Sequence, residues 1–165
     1  MKEAKESFEQ AYALYADALF RYALLKVSDR ETAKDVLQDT FKKTWEYIAA
    51  GNTITHWRTF LYTAATRLII DHYRKKKTLS LDLLADAGFE PIDPHTVSPE
   101  IAIDGEQAIA LLGQLPPDYR DAVFMRHVDE LSLSEIAEIT GESENTIAVR
   151  VHRGLQKLKK LFPYE

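Results

Sequence analysis

Apolar positions recur along this chain at the spacing of amphipathic helices, in several separate stretches. From Thr32 to Ile48, the residues Val36, Leu37, Phe41, Thr44 and Ile48 fall on one side, and Asp35, Gln38, Asp39, Lys42 and Glu46 on the other. After the turn signal Gly51-Asn52, the spacing predicts a helix from Trp57 to Lys76 that buries Phe60, Leu61, Ala64 and Leu68. Its outward strip holds Tyr62, Thr63, Thr66, Ile70 and Tyr73, and it ends in the basic run Arg74 to Lys77. Between Ser132 and Lys160 two helical patterns meet across one glycine, the pattern of a helix-turn-helix. The first helix buries Ile136, Ala137 and Ile139; Gly141 takes the left-handed turn conformation, and Ser143 caps the second helix. At 100° per residue the second helix turns Ile147, Val151, Gly154, Leu155 and Leu158 inward and Val149, His152, Arg153, Gln156 and Lys160 outward.

The expected fold is therefore all-α, with two small helical domains joined by a flexible acidic linker. Residues 1–77 carry 14 Lys or Arg against 10 Asp or Glu and form the first domain. Residues 78–106 hold seven carboxylates, no Lys or Arg, and Pro91, Pro94 and Pro99, a composition that suits a tether. Helical periodicity returns over 107–165, interrupted by Pro116-Pro117, to give the second domain.

Charge sharpens this picture. A formal net charge of −5 argues against indiscriminate coating of nucleic acid, so any DNA contact must come from local patches. Two such patches exist. Residues 148–160 hold five Arg or Lys and no carboxylate, which suits a helix lying in a major groove. Arg74 to Lys77 follow a strip of hydroxyls and aromatic rings, a mixture that suits unpaired bases and phosphates, although basic residues in a last turn also complement the helix dipole. The polar side of the Thr32–Ile48 helix reads first as a solvated face, and a docking surface is the sharper alternative. The absence of cysteine excludes disulfides and thiolate metal ligands, and no apolar run reaches membrane-spanning length, so a cytoplasmic location without membrane insertion is expected. The five histidines lack metal-ligand spacing, and neither a phosphate-binding glycine loop nor a nucleophile motif is visible. No catalytic site, metal or cofactor is expected.

The order of these pieces resembles the extracytoplasmic-function (ECF) sigma factors, the small two-domain members of the sigma-70 class. The resemblance is carried by ETAKDVLQDTFKKTWEYI (31–48), WRTFLYTAATRLIIDHYRKKK (57–77) and the stretch 115–158 that holds the helix-turn-helix. It implies a region 2-like bundle, a region 4-like helix-turn-helix and a subunit that directs bacterial RNA polymerase to promoters. The implied partners are the polymerase core, through its beta-prime clamp helices and beta flap, promoter DNA, and an anti-sigma factor as regulator.

Residue roles follow by matching position. Asp35, Gln38 and Asp39 match the clamp-binding face. Asn52, Thr53, Thr55 and His56 lie in the turn where the family captures a flipped minus-10 base, and Thr66, Arg67, Arg74 and Lys75 match or adjoin the DNA-facing part of the next helix. Relatives often carry Arg-Asn where this chain has Thr66-Arg67, which replaces a short amide by a long cation. For the minus-35 element the matching residues are Ser143, Asn145, Thr146, Ala148, Val149, Arg150, His152 and Arg153. Of these, Arg153 is best suited to a bidentate guanine contact, and the first three to capping and phosphate binding. Ala148 and Val149 stand where polar residues are common, which leaves apolar or shape readout. Two other readings remain open: a sigma-like mimic that sequesters an anti-sigma factor without binding DNA, and a stand-alone helix-turn-helix regulator.

Overall fold

The computed structural model describes residues 1–84 and 111–161, so the expected linker lies outside the described residues from position 85 onward. Every regular element described is helical.

Helix α1 (Lys2–Val27) ends where Ser28 turns left-handed at φ 55° and returns its N–H to the Leu24 carbonyl. One residue later the Asp29 carboxylate accepts the Thr32 N–H at 3.0 Å and so starts α2 (Arg30–Ala49). The expected apolar side of α2 is the buried one: Val36, Phe41, Thr44 and Ile48 are enclosed, joined by Ala33 and Thr40, with Leu37 half-buried. Thr40 and Thr44 are tolerated in the interior because each hydroxyl donates to a carbonyl one turn back. Helix α3 (Trp57–Leu84) packs across both α1 and α2 and continues past the basic run at which it was expected to stop.

In the second unit, after the buried Leu112 and Leu115, a new helix starts at Pro116-Pro117, where a missing N–H costs nothing. Helix α4 (Pro117–Val123) widens into a π turn (Phe124–Val128) closed by the Asp129 N–H on the Phe124 carbonyl at 3.1 Å. Helix α5 (Leu133–Thr140) opens with a reciprocal capping box: Ser132 Oγ accepts the Glu135 N–H while Glu135 accepts the Ser132 N–H. Gly141, at φ 75°, makes the expected left-handed turn into α6 (Glu144–Leu161), and Ser143 Oγ accepts the Thr146 N–H at 3.1 Å.

On α6, Ile147, Val151, Gly154 and Leu158 are buried as expected, but Leu155 is exposed. The buried strip is narrower than the projection suggested because α4 meets α6 along the Gly154 line. A Cβ placed on Gly154 would stand 2.5 Å from Val123 Cγ2 and 3.3 Å from the Tyr119 carbonyl oxygen.

The larger departure concerns α3. Its buried residues include Thr59, Leu61, Tyr62, Ala65, Thr66 and Ile69, with Phe60, Ala64 and Leu68 only partly covered, so Tyr62 and Thr66 do not belong to an outward strip. The reason is tertiary: α5 of the second unit packs on α3, and buried residues of both units form one continuous cluster.

Gly154→Ala should lower stability by roughly 1–2 kcal/mol, the overpacking cost less the helix-propensity gain. Urea denaturation followed by circular dichroism measures it; an unchanged midpoint would mean that α4 and α6 separate freely.

Candidate polymerase and nucleic-acid interfaces

Three surfaces collect the residues singled out in the sequence. On the first, Asp35, Gln38 and Asp39 project from the exposed side of α2. Asp35 and Asp39 line an open groove of about 550 Å³ whose opposite wall is α3, with Asp71, His72 and Lys75. Lys75 thus stands at the α2 groove, where Lys42 and Lys43 mix with the carboxylates, rather than with the other proposed minus-10 residues. Burial, followed by the nearby Lys76 ammonium, holds the His72 imidazole below its ordinary value.

The second surface is built by the turn before α3. Gly51 takes φ 95°, and the Asn52 amide donates to the Tyr47 carbonyl at 3.1 Å, which fixes the turn. Beyond it a pocket of about 440 Å³ brings Thr53, Thr55, His56 and Arg67 together beside the Tyr47 and Phe60 rings, which touch each other with centroids 5.0 Å apart. Asn52 faces a separate groove beside Trp57. Arg74 is exposed two helical turns beyond Arg67, so the two cations share a stripe. Thr66 requires a correction as a DNA contact: its hydroxyl is buried, donates to the Tyr62 carbonyl at 2.7 Å and lies 2.8 Å from the Tyr22 hydroxyl.

The third surface is α6. Asn145, Val149, His152 and Arg153 are exposed, Ala148 and Thr146 are half-buried, and Ser143 is engaged as the cap. Arg150 lies apart from the exposed side chains. It pairs with Glu142 at 3.3 Å and lines a pocket together with Tyr22, Lys26 and Thr66 of the first unit.

Sequence reasoning missed the residues that join the units. Arg58 makes a forked contact to Glu135, Nε to Oε2 at 2.8 Å and Nη2 to Oε1 at 2.5 Å. The Tyr62 hydroxyl donates to Asp129 Oδ2 at 2.8 Å, and Lys26 reaches Asp121 at 2.7 Å. These partners are 77, 67 and 95 positions apart, beyond any local periodicity. The Arg58 guanidinium holds the Glu135 carboxyl below the usual range. Asp129 behaves oppositely: burial pushes its carboxyl up to about 6 despite the Tyr62 hydrogen bond, and its Oδ1 is buried without a hydrogen-bond partner.

Residues 11–78 match the sigma-70 region 2 family and residues 105–158 match the sigma-70 region 4 family. The chain is 30% identical over 177 residues to the ECF RNA polymerase sigma factor SigW of Bacillus subtilis, with 97% of this chain and 93% of SigW covered. The chain belongs to the ECF sigma factors. A second relative, SigM of Bacillus subtilis, is 27% identical over 161 residues, covering 94% of this chain and 95% of SigM. Among solved structures, the Bartonella quintana sigma factor RpoE, crystallised with the anti-sigma factor NepR, superposes with a TM-score of 0.73 at 24% identity, covering 94% of this chain and 96% of RpoE. That likeness establishes the fold. This sigma factor therefore has two sigma domains, and among its described residues no helix is long and apolar enough to cross a membrane.

The raised Asp129 carboxyl has a thermodynamic sign. The packed arrangement holds this proton more tightly than a free carboxyl of pKa 3.8, so its contribution to stability falls as pH rises through about 6. Asp129→Asn retains an acceptor for Tyr62 and should stabilise the protein at neutral pH by about 1–3 kcal/mol. The advantage should vanish below the free carboxyl pKa of 3.8. Denaturation series at several pH values test this; a pH-independent difference would assign the effect to packing instead.

Proposed function

We propose that this chain binds core RNA polymerase through the α2 face carrying Asp35, Gln38 and Asp39, and directs initiation at promoters by reading two DNA elements. The observation that carries the reading is the pairing, in one chain, of a region 2 match over residues 11–78 with a region 4 match over 105–158. Geometry supports it, because α2 presents its carboxylates on an open groove while α6 exposes Val149, His152 and Arg153 together.

The division of labour follows the chemistry of each surface. The pocket lined by Tyr47 and Phe60 supplies hydroxyls, an imidazole and the Arg67 guanidinium, groups suited to a base extruded from the minus-10 element. Arg74 extends the positive stripe along α3 toward the phosphates. On α6, Arg153 reads a guanine edge of the minus-35 element and His152 accompanies it, while Val149 presents an apolar contact for a thymine methyl. Ser143, Asn145 and Thr146 at the helix start fix the backbone register. Arg150 joins this set once its domain turns away from the first. A first domain over residues 1–77, a linker over 78–106 and a second domain over 107–165 let one chain span both elements.

The bond chemistry of transcription belongs to the polymerase in this reading, and the subunit itself is no enzyme and requires no cofactor. It acts where the polymerase acts, in the cytoplasm, and an anti-sigma protein of the kind crystallised with RpoE is the expected regulator. The beta-prime clamp helices meet α2, and the beta flap meets the second domain.

Run-off transcription with purified core polymerase tests the proposal: promoter-specific transcripts are expected only when the chain is added. Regulator binding without any transcript would instead mark a mimic, and tight sequence-specific DNA binding without polymerase would mark a stand-alone regulator. Asp39→Arg should weaken polymerase binding at least about tenfold without altering the circular dichroism spectrum, a loss of ~1.4 kcal/mol or more. Unchanged affinity would remove the α2 assignment. Arg153→Ala should cost about 1–3 kcal/mol of discrimination at one minus-35 position, read by competition among promoter variants. A uniform loss across sequences would make Arg153 a phosphate contact.

A further inference from the structure

The turn before α3 has a second side. Thr53 and Ile54 form a partition: they line the 440 Å³ pocket that holds His56 and Arg67, and they also line a groove of about 260 Å³ bounded by Trp57 and the first turns of α1. The groove is smaller than the cavities that enclose drug-sized ligands, roughly 300–1,000 Å³, and suits one planar ring system. Its polar lining differs in character from that of its neighbour. No described Lys, Arg or His lines it; Glu3 and Ser7, both exposed, come from α1, and Asn52 and Thr53 come from the turn.

The Asn52 amide nitrogen is already spent on the Tyr47 carbonyl at 3.1 Å, so the group Asn52 offers a ligand is its carbonyl oxygen. Together with the Glu3 carboxylate it makes the groove rich in acceptors. A phosphate is repelled there, and a ring edge that carries donors is drawn in. Trp57 supplies the platform, because its half-buried indole packs on the hydrophobic core and also lines the groove. An indole stacks on any base, so selectivity falls to the acceptors. The Watson–Crick edge of guanine presents N1–H and the 2-amino group side by side, a pair of donors that one carboxylate can accept with its two oxygens. Adenine and cytosine offer one amino group next to a ring acceptor, and thymine one N–H between two carbonyls, so each sets an acceptor against Glu3.

We infer that the groove between Glu3, Asn52 and Trp57 binds an unpaired guanine of the melted promoter, next to the base held on the far side of Thr53 and Ile54. The inference rests on the minus-10 reading of that neighbouring pocket and adds a second position at which the first domain reads single-stranded DNA. A strand gripped on both sides of one turn is held away from its complement, so the groove serves melting as well as selectivity. A carboxylate in the first turn also complements the dipole of α1, but that contribution is the same for every base.

A promoter that gives a run-off transcript is rebuilt with its nontemplate strand unpaired from the minus-10 element onward. Each unpaired position in turn carries guanine or hypoxanthine, which is guanine without its 2-amino group, and affinity for the holoenzyme is read by competition. At one position beside the flipped base, hypoxanthine in place of guanine should weaken binding at least about fivefold with the wild-type chain and less than about twofold with Glu3→Ala. The absence of any guanine-dependent position with the wild-type chain would overturn the site, and so would an equal loss with Glu3→Ala.

A holoenzyme that selects no promoter would count against the sigma-factor reading, and the groove is then decided on the isolated chain. Trp45→Phe leaves Trp57 as the one tryptophan, and a thymine oligonucleotide carrying a single guanine is titrated against its fluorescence. A quenching midpoint at least about fivefold higher with hypoxanthine in place of that guanine keeps the groove. Equal midpoints, or no quenching, remove it.

Discussion

Helix α3 has more surface to bury than its own domain can cover, and the rest of the molecule depends on how that surplus is met. One side of the helix packs on α1 and α2. Around Tyr62, Thr66 and Ile69 the helix is also buried, and there the cover is shared among Tyr22 of α1, Asp129 after the π turn and α5 of the second domain. Tyr62 joins these parts: its ring packs 5.2 Å from that of Tyr22, its carbonyl accepts the Thr66 hydroxyl, and its own hydroxyl reaches the second domain. Burial, then the charge of Asp129, raises the Tyr62 phenol well above its ordinary value, so it remains a donor throughout the physiological range.

That sharing explains what was legible in the sequence. Helix α2 could be read directly because it faces one core and one open side; Val36, Phe41 and Ile48 recur at the helical spacing and their opposite face is uniformly polar. The helix-turn-helix could be read for the same reason, with Gly141 and Ser143 marking its turn by backbone and capping chemistry that acts locally. Helix α3 was misread at Tyr62 and Thr66 because a helix covered from two directions has no single polar face, and its hydroxyls resemble a wet surface until their partners are known. Leu155 failed in the opposite sense: it sits at the margin of the inward side, and the close approach at Gly154 draws α4 away from it.

Of the candidate site residues, those on uncovered faces kept their expected positions. Asp35, Gln38, Asp39, His152 and Arg153 are all exposed where helical projection placed them. The displaced residues are those beside the domain contact. Thr66 is spent on Tyr22 and Tyr62, Arg150 turns toward Glu142, and Lys75 joins the groove beside α2. No local pattern could have found Arg58–Glu135 or Lys26–Asp121, since each pairs a residue that looks like ordinary surface charge with another in the opposite domain.

The chemistry of the domain contact bears on how such a subunit can change partners. Two domains joined only by apolar surface would expose an adhesive patch on parting, an unfavourable state for a chain that must present several faces to polymerase and DNA. Here the apolar contact is bordered by ion pairs and one tyrosine–carboxylate hydrogen bond, groups that water and nucleic acid can satisfy in turn. Arg58–Glu135 fixes the register of α5 on α3 through its forked geometry, a directional constraint that apolar packing alone does not impose. Asp129 works against the same contact, because its unpartnered oxygen favours any arrangement that readmits water. The ion pairs thereby add a specific geometry to an apolar contact whose buried residues run continuously from one domain into the other.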